Sequence, residues 1–404
     1  MGANKFQEIK IDFELSTPSF IRGYNSKPEF RMTSFIGVLR FWWRATNWKN
    51  YDTSEKLSHA ERELFGGTKR QSLLHFSLKE QKIELKNIQT GEYNKKNKNI
   101  RADVKEHIGL KYLSYGIFED ENEEGEFIDS GSSGTISIYY TSLSDEQIES
   151  LIIALKALHF FGGLGGNSRD GFGSFNLITE IKIGEEIKFQ VPNNLVDVKS
   201  QINDLIEKFK ADSSREIPPY SAFSESSRVF LTRWNKSAKD ILKNYGEKLL
   251  NYRSGRYHDF KDDTDLVKNI ISKYNSGVIS DNDLDIPRRA IFGLPHNYFF
   301  VHLSGNPKVT FGLNASDGKD GRRASPLFFK VNKFKAGYIG VALILKSIFL
   351  PKDTDFQIKI DDKIVYDKHK KKKFPNFVEK INSLEDRWDP IYKFFLNDQS
   401  WEAL

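Results

Sequence analysis

RMTSFIGVLRFWWRA, residues Arg31 to Ala45, is the stretch from which the rest of the chain can be placed. Phe35, Val38, Leu39 and Trp42 fall at i, i+3, i+4 and i+7, one apolar stripe of an α-helix, with Thr33 or Ser34 as the expected N-cap. Arg40 and Arg44 stand one turn apart beside that stripe. Two guanidinium groups at this spacing suit successive phosphates, and Trp43 offers an indole face for a base, which is what a single-stranded nucleic acid needs. The competing reading makes Trp42 and most of the apolar face core, with the arginines solvated or salt-bridged.

Upstream, residues 7 to 15 alternate, with Ile9, Ile11, Phe13 and Leu15 on one face of a half-buried strand. Downstream come a helix over 33–47, a shorter one over 55–65 closed by Gly66, a second strand from Ser72 to Leu78 and a third from Thr135 to Tyr140. Ser144 with Gln147 forms a capping-box signature, and Ile148, Leu151, Ile152, Leu155 and Leu158 trace a helix that stops at Gly162. Phe172 to Ile183 supplies a fourth strand. The order β-α-β-β-α-β is the ferredoxin-like arrangement shared by RNA-recognition domains. An insertion over about 81–133 separates the second and third strands. Its Lys95-Lys96-Asn97-Lys98-Asn99 tract reads either as a solvated loop or as an arm that touches RNA, whereas Gly109 to Gly116 reads as ordered. Glu119 to Glu126 is an acidic turn.

Pro192, Asn193 and Asn194 lie in a linker, which divides the chain into domains at 1–190 and 191–404. The second half reads as helices over 195–210 and 236–250 around a Pro218-Pro219 turn, then a polar loop through Asp285. Strands follow near 298–303, 308–313, 326–332 and 338–347, with a helix-rich tail from Phe374. Leu64-Phe65-Gly66 before a strand is echoed by Ile291-Phe292-Gly293 before another. We read the chain as α+β: two diverged tandem ferredoxin-like domains with helical and loop insertions.

Residues Phe161 to Ser174, FGGLGGNSRDGFGS, carry six glycines after a helix. Glycines let backbone amides approach phosphate oxygens and adopt positive φ. The segment lacks the Gly-Lys-Ser/Thr of a Walker loop, and it follows a helix and opens a strand, the reverse of a dinucleotide fingerprint. It is either a tight helix-to-strand connection or an anion cradle. Arg322 and Arg323 are either a second phosphate-positioning pair or an exposed basic loop. The run from Lys368 to Lys373 reads as a solvated turn.

At 404 residues the chain is long enough for two cores, and 61 Lys plus Arg against 55 Asp plus Glu leaves only +6. So small an excess argues weakly for a nucleic acid, and the distribution of charge matters more than its sum. With no Cys, disulfides, thiolate nucleophiles and Cys-bound zinc are excluded. The N-terminus has no signal-peptide pattern, and the richest apolar run, Tyr338 to Leu350, is short and contains Lys346, so a soluble cytoplasmic protein without membrane contact is expected. No H-E-x-x-H, no G-x-S-x-G and no paired metal-ligand spacing occurs among the eight histidines. His258-Asp259 reads as structural or exposed, and His159 as a core or boundary residue.

Thr17-Pro18-Ser19-Phe20, the Arg31–Ala45 run, Glu63-Leu64-Phe65-Gly66-Gly67 and the glycine loop, taken together, resemble the RAMP superfamily proteins of type III-B CRISPR effectors, in particular the first-numbered RAMP subunit family of the Cmr complex. Gly109 to Gly116 and Gly321-Arg322-Arg323-Ala324-Ser325-Pro326-Leu327 extend the resemblance over nearly the whole chain. Two departures stand out: Ile36 replaces a usual Lys, and Asp170 a usual Arg. The resemblance implies a non-catalytic RNA-binding subunit of a ribonucleoprotein in antiviral defense, needing neither cofactor nor metal. Its implied partners are the 3′ region of the CRISPR RNA, target single-stranded RNA and other RAMP subunits. The implied contacts are Arg22, Arg31, Arg40, Trp43, Arg44, Gly163, Gly165, Gly166, Asn167, Ser168, Arg169, Arg322 and Arg323. Two alternatives stay open: a RAMP-type endoribonuclease that processes CRISPR RNA, although no residue matches the loop Asp of the cleaving relatives, and a purely structural protein-binding cap.

Overall fold

Ile9, Ile11, Phe13 and Leu15 all reach the core, and this alternation makes Gln7–Leu15 the first strand, β1. The computed structural model describes residues 6–25, 27–87, 108–117, 126–210, 217–233, 237–254, 260–314, 320–350, 356–366 and 388–404. After β1 come α1 (Met32–Asn47), α2 (Ser54–Phe65), β2 (His75–Lys82), β3 (Leu85–Asn87), α3 (Ile108–Leu113), β4 (Glu126–Ile128), β5 (Ser133–Tyr140), α4 (Asp145–Phe161), β6 (Phe175–Leu177), β7 (Ile181–Ile183) and β8 (Glu186–Phe189). The chain continues through α5 (Leu195–Lys210), β9 (Arg228–Thr232), α6 (Ala238–Arg253), α7 (Lys261–Asn275), β10 (His296–Phe299), β11 (Lys308–Asn314) and β12 (Asp320–Gly321). It ends with β13 (Leu327–Phe334), β14 (Gly337–Ile344), β15 (Phe356–Ile360), β16 (Lys363–Tyr366), α8 (Asp389–Leu396) and β17 (Trp401–Ala403).

The first sheet runs β2-β5-β1-β6 with antiparallel neighbours, the ferredoxin order in which the first and third strands are central. Helices α1 and α4 pack on one another above it. Helix α4 starts as its sequence requires, with Ser144 accepting from the Gln147 amide and the Gln147 side chain from that of Ser144. A second sheet, β13-β14-β9-β17, repeats the same order, with α6 after its first strand and α8 before its fourth. A third, β10-β11-β15-β16 with β12 beside β11, is built from the two stretches inserted in that second copy. The chain divides into two compact units, one of residues 1–248, 328–345 and 400–404, the other of 249–327 and 346–399.

Inside the larger unit, β13 is joined to the first sheet by side chains rather than by a backbone ladder. Ser16 Oγ donates to Val331 O (2.6 Å), Val331 N to Ser174 Oγ (3.1 Å) and Lys333 N to Asn176 Oδ1 (2.9 Å). Lys333 Nζ pairs with Glu14 at 2.6 Å. The buried Lys330 ammonium donates to the carbonyls of Leu158, His159 and Phe175 at the end of α4 and on β6. Burial pushes its pKa well down, while the three carbonyls match its three N–H groups.

Local differences from the sequence reading have local causes. Helix α1 begins at Met32, because Arg31 O already accepts from the Ser34 and Phe35 amides; neither Thr33 nor Ser34 caps it. Strand β2 starts at His75 because Ser72 is held in a turn, its hydroxyl donating to Leu64 O and accepting from Leu74 N. The fourth strand breaks after Leu177, where Ile178 N and Thr179 Oγ1 bond to Asp12, and resumes as β7. The stretch read as a polar loop contains α7, whose Val267, Ile270 and Ile271 are buried. The Lys95 tract, His258-Asp259, most of Glu119–Glu126 and the Lys368–Lys373 run lie outside the described residues.

The two Phe-Gly motifs have the same local structure. Gly66 (φ +79°) ends α2, and Gly67 exchanges backbone hydrogen bonds with Arg70; Gly293 (φ +133°) ends the 3-10 turn Arg288–Phe292, and Leu294 exchanges them with Arg323. Ser72 Oγ then accepts from Leu74 N, as Ser325 Oγ does from Leu327 N. The motif therefore continues as Lys69-Arg70-Gln71-Ser72 in one copy and Arg322-Arg323-Ala324-Ser325 in the other. Between Leu294 and Arg323 the second copy inserts β10 to β12, where the first has two residues, Thr68 and Lys69.

Candidate nucleic-acid interface

The glycine loop is shaped by the Thr17–Phe20 segment beside it. Thr17 Oγ1 donates to Gly171 O (2.7 Å) and accepts from Ser174 N (2.9 Å), Gly173 N donates to Pro18 O (2.7 Å), Ser19 Oγ to Leu164 O (2.6 Å) and Gly166 N to Phe20 O (3.1 Å). So close a fit explains most of the glycines. A Cβ on Gly163 would stand 2.6 Å from Phe172 O, and one on Gly165 (φ +99°) 2.9 Å from the Phe20 carbonyl carbon. Gly173 (φ +61°) has Leu164 O in the same place. Gly166 differs: it is exposed, and its Cβ would meet Phe20 O only at 3.6 Å, an ordinary contact. Packing alone does not require a glycine there.

Beyond Gly166 the loop turns outward. Asn167 adopts φ +50°, and its side-chain amide donates to Leu113 O (2.7 Å) and Tyr115 O (3.2 Å) at the end of α3. Its side chain thus positions the loop. Among the described residues, the backbone N–H groups of Asn167 and Ser168 donate to no protein acceptor. Arg169 turns inward, its guanidinium 4.3 Å from the Phe328 ring centroid and 5.6 Å from that of Phe41. Burial lowers its pKa to about 10 against the opposing pull of Asp170, so it stays charged at neutral pH. Arg169 O accepts from Phe329 N (2.7 Å), so the residue also fixes the start of β13.

The cations and the indole of α1 are engaged inside the protein. Glu61, 5% exposed on α2, accepts from Arg40 Nε (2.6 Å) and Arg44 Nη1 (2.5 Å) through one oxygen. Both arginines keep about a third of their side-chain surface in solvent, at 30% and 35%. Trp43 is buried, its Nε1 donating to Ser150 Oγ (2.9 Å) and its ring against Tyr51 and Phe65. It presents no open face, where the sequence reading expected one. Arg31 is exposed at the entrance to α1, and Arg22 is half-buried, pairing with Pro28 in a narrow hairpin two residues past the Phe20–Gly166 bridge. In the smaller unit Arg322 is exposed, whereas Arg323 donates to Phe349 O and stacks on the Phe349 ring at 4.6 Å.

The structure thus brings together Arg22 and the loop over Gly163–Arg169, and gives Arg40, Arg44 and Arg323 partners of their own. Sequence reasoning missed two exposed tyrosines flanking this region, Tyr24 (94% exposed) in the hairpin and Tyr115 (68%) after α3. The Gly109–Gly116 pattern marked the second without showing where its ring goes. His159 is wholly buried, its Nδ1 accepting from Leu177 N, and burial together with Lys330 pushes its pKa well down. Among the described residues no three His, Asp or Glu side chains gather as a metal site, and no helix is long and apolar enough to cross a membrane.

Residues 12–176, the stretch that holds the β-α-β-β-α-β sheet and its glycine loop, match the RAMP superfamily model. The chain is similar to CRISPR system Cmr subunit Cmr1-1 of Pyrococcus furiosus, with 24% identity over 345 residues, 80% of this chain and 82% of that protein. Subunit Cmr1-2 of the same organism is 27% identical over 186 residues, 42% of this chain and 95% of that one. The crystal structure of apo Cmr1 from P. furiosus superposes with a TM-score of 0.51 at 18% identity, over 92% of this chain and 96% of that one, and shares the fold.

Proposed function

We propose that this chain is a non-catalytic, RNA-binding RAMP subunit of a type III-B Cmr effector, packed against other RAMP subunits in the cytoplasm. There it holds the 3′ region of the CRISPR RNA and helps capture target RNA. One observation carries the reading: on an otherwise tightly packed loop, exposed Gly166 is followed by half-buried Asn167 and Ser168, whose N–H groups donate to no protein acceptor among the described residues and are suited to a phosphate. The similarity to Cmr1 subunits supports it. Arg22 and Arg31 are the cations best placed by exposure and neighbourhood to add to it; Arg40 and Arg44 reach an RNA only with the faces that Glu61 leaves in water. Guide pairing supplies sequence specificity in this scheme, and the protein supplies backbone contacts.

Photocrosslinking tests the reading. An effector assembled on CRISPR RNA carrying thiouridine near its 3′ end is expected to give adducts on 163–168. Adducts confined to other subunits would leave this chain a protein-binding cap.

A further inference from the structure

The Asn167 and Ser168 amides belong to a turn that is anchored at both ends. Asn167 O accepts from Asp170 N at 2.9 Å and closes the turn over Ser168 and Arg169. At its first residue the Asn167 side chain is tied to the carbonyls of Leu113 and Tyr115. At its other end the anchor is β13, a strand of the second copy. Arg169 O accepts from Phe329 N, Asp170 forms a parallel bridge with Phe329, and a Cβ on Gly171 would stand 2.9 Å from the Phe329 ring. Phe329 is itself fixed, stacked on Tyr245 of α6 with ring centroids 3.7 Å apart. The Arg169 side chain adds a second grip. Its guanidinium lies against Phe328 and Phe41, whose rings pack on one another at 5.6 Å, and a planar cation held between protein rings is strongest where water is excluded. Ser168 lies between the two anchors, so the direction of its N–H follows from where Arg169 is held.

We propose that Arg169 is a positioning residue: it makes no phosphate contact of its own and, held by Phe328 and Phe41, aims the Ser168 amide at the RNA. The second copy thereby sets the RNA affinity of a loop that belongs to the first. The proposal rests on the RNA-binding reading above. Its test is a salt series with the full-length chain, fluorescein-labelled oligouridine and the variants Arg169→Lys, Arg169→Met, Phe41→Leu and Phe41→Tyr. Arg169→Lys keeps the charge but loses the flat fork, and Arg169→Met keeps only the bulk. Both are expected to weaken binding alike, by about ten-fold, within the worth of a desolvated cation–π contact. The log-affinity versus log-salt slope should stay that of the parent, since no phosphate contact is lost. Phe41→Leu should also weaken binding and add little to Arg169→Met in the double variant, because the two changes remove one contact. Phe41→Tyr, which keeps the ring at a half-buried site, should bind like the parent. Melting temperatures are read in parallel, and if the Arg169 variants do not fold the Phe41 pair decides alone. An Arg169→Lys protein that binds like the parent, while Arg169→Met lowers the slope by roughly 0.7, would overturn the proposal in favour of a phosphate contact and keep the RNA reading. A Phe41→Leu protein that binds like the parent, or a loss that adds in full to that of Arg169→Met, would overturn it as well. A parent that does not bind oligouridine would overturn both readings together.

Discussion

Glu61 decides what two of the most conspicuous arginines do. It is nearly buried and accepts from both Arg40 and Arg44, so removing both guanidinium groups strands a carboxylate in the protein. Arg40→Ala with Arg44→Ala should therefore cost about 3 kcal/mol of stability, and the further change Glu61→Leu should recover most of it. Thermal melts of the three proteins check this. If the exposed sides of these arginines also touch RNA phosphates, the double variant should reduce the salt slope by roughly 0.7 per contact on a single strand; an unchanged slope in a folded sample would assign them to the fold alone. The sequence showed the arginines and the helix. It did not show the acid, which sits on α2 and comes near only after the two helices pack. His159 gives a second prediction. Its folded pKa lies below the unfolded value of about 6.5, so below that pH the unfolded chain takes up a proton that the folded chain refuses, and stability falls as pH falls. At pH 5 the loss is about 2 kcal/mol if the imidazole is still neutral in the folded state. His159→Asn, which keeps an acceptor for Leu177 N, should flatten the dependence of the melting temperature on pH between 7 and 5.

At the scale of elements, the glycine loop separates into residues the fold needs and one it does not. Gly173→Ala forces a side chain into a left-handed backbone against Leu164 O, and should cost at least about 2 kcal/mol. Gly166→Ala adds a methyl group to open surface and should change stability by no more than about 0.5 kcal/mol while weakening RNA. Denaturant melts and a binding titration on the same two proteins separate the roles. Much of this level was legible beforehand. Apolar spacing gave α1 and α4, the Ser144–Gln147 box fixed the start of α4, and alternation gave β1 to its last residue. Strands β9, β15 and β16 escaped because short strands buried in sheets lack a distinctive period, and α7 escaped behind a polar surface with three buried apolar residues. The glycine loop was legible as a loop. What no pattern carried was its partner, since Thr17–Phe20 lies far away in sequence.

The molecule as a whole holds one duplication in an unequal form. Both copies keep the ferredoxin strand order and the Phe-Gly turn, and the second has accepted insertions large enough to build the sheet β10-β11-β15-β16. We propose the junction of the two copies near residue 190, ahead of α5; the compact units follow packing instead, and both ferredoxin sheets fall in one of them. Asn176 shows why. Its carbonyl accepts from Lys333 N and its amide donates to Ser16 Oγ, so one side chain serves β6, the end of β1 and β13. Asn176→Leu should cost about 3 kcal/mol by leaving buried groups unpaired. Amide hydrogen exchange should then speed up at β13 and β6 together; faster exchange at β6 alone would show that the stitch is incidental.

The strand order of the second sheet also bears on how the chain is made. On the ribosome the first sheet has all four strands once β6 emerges, but β9 must wait for β14 and β17, its two neighbours. Throughout synthesis from Thr232 to Val341 a nascent chain carries β9 with both edges unsatisfied, an invitation to pair with a neighbouring polypeptide. Ribosome profiling with a crosslinkable chaperone should find this chain held longest in that interval.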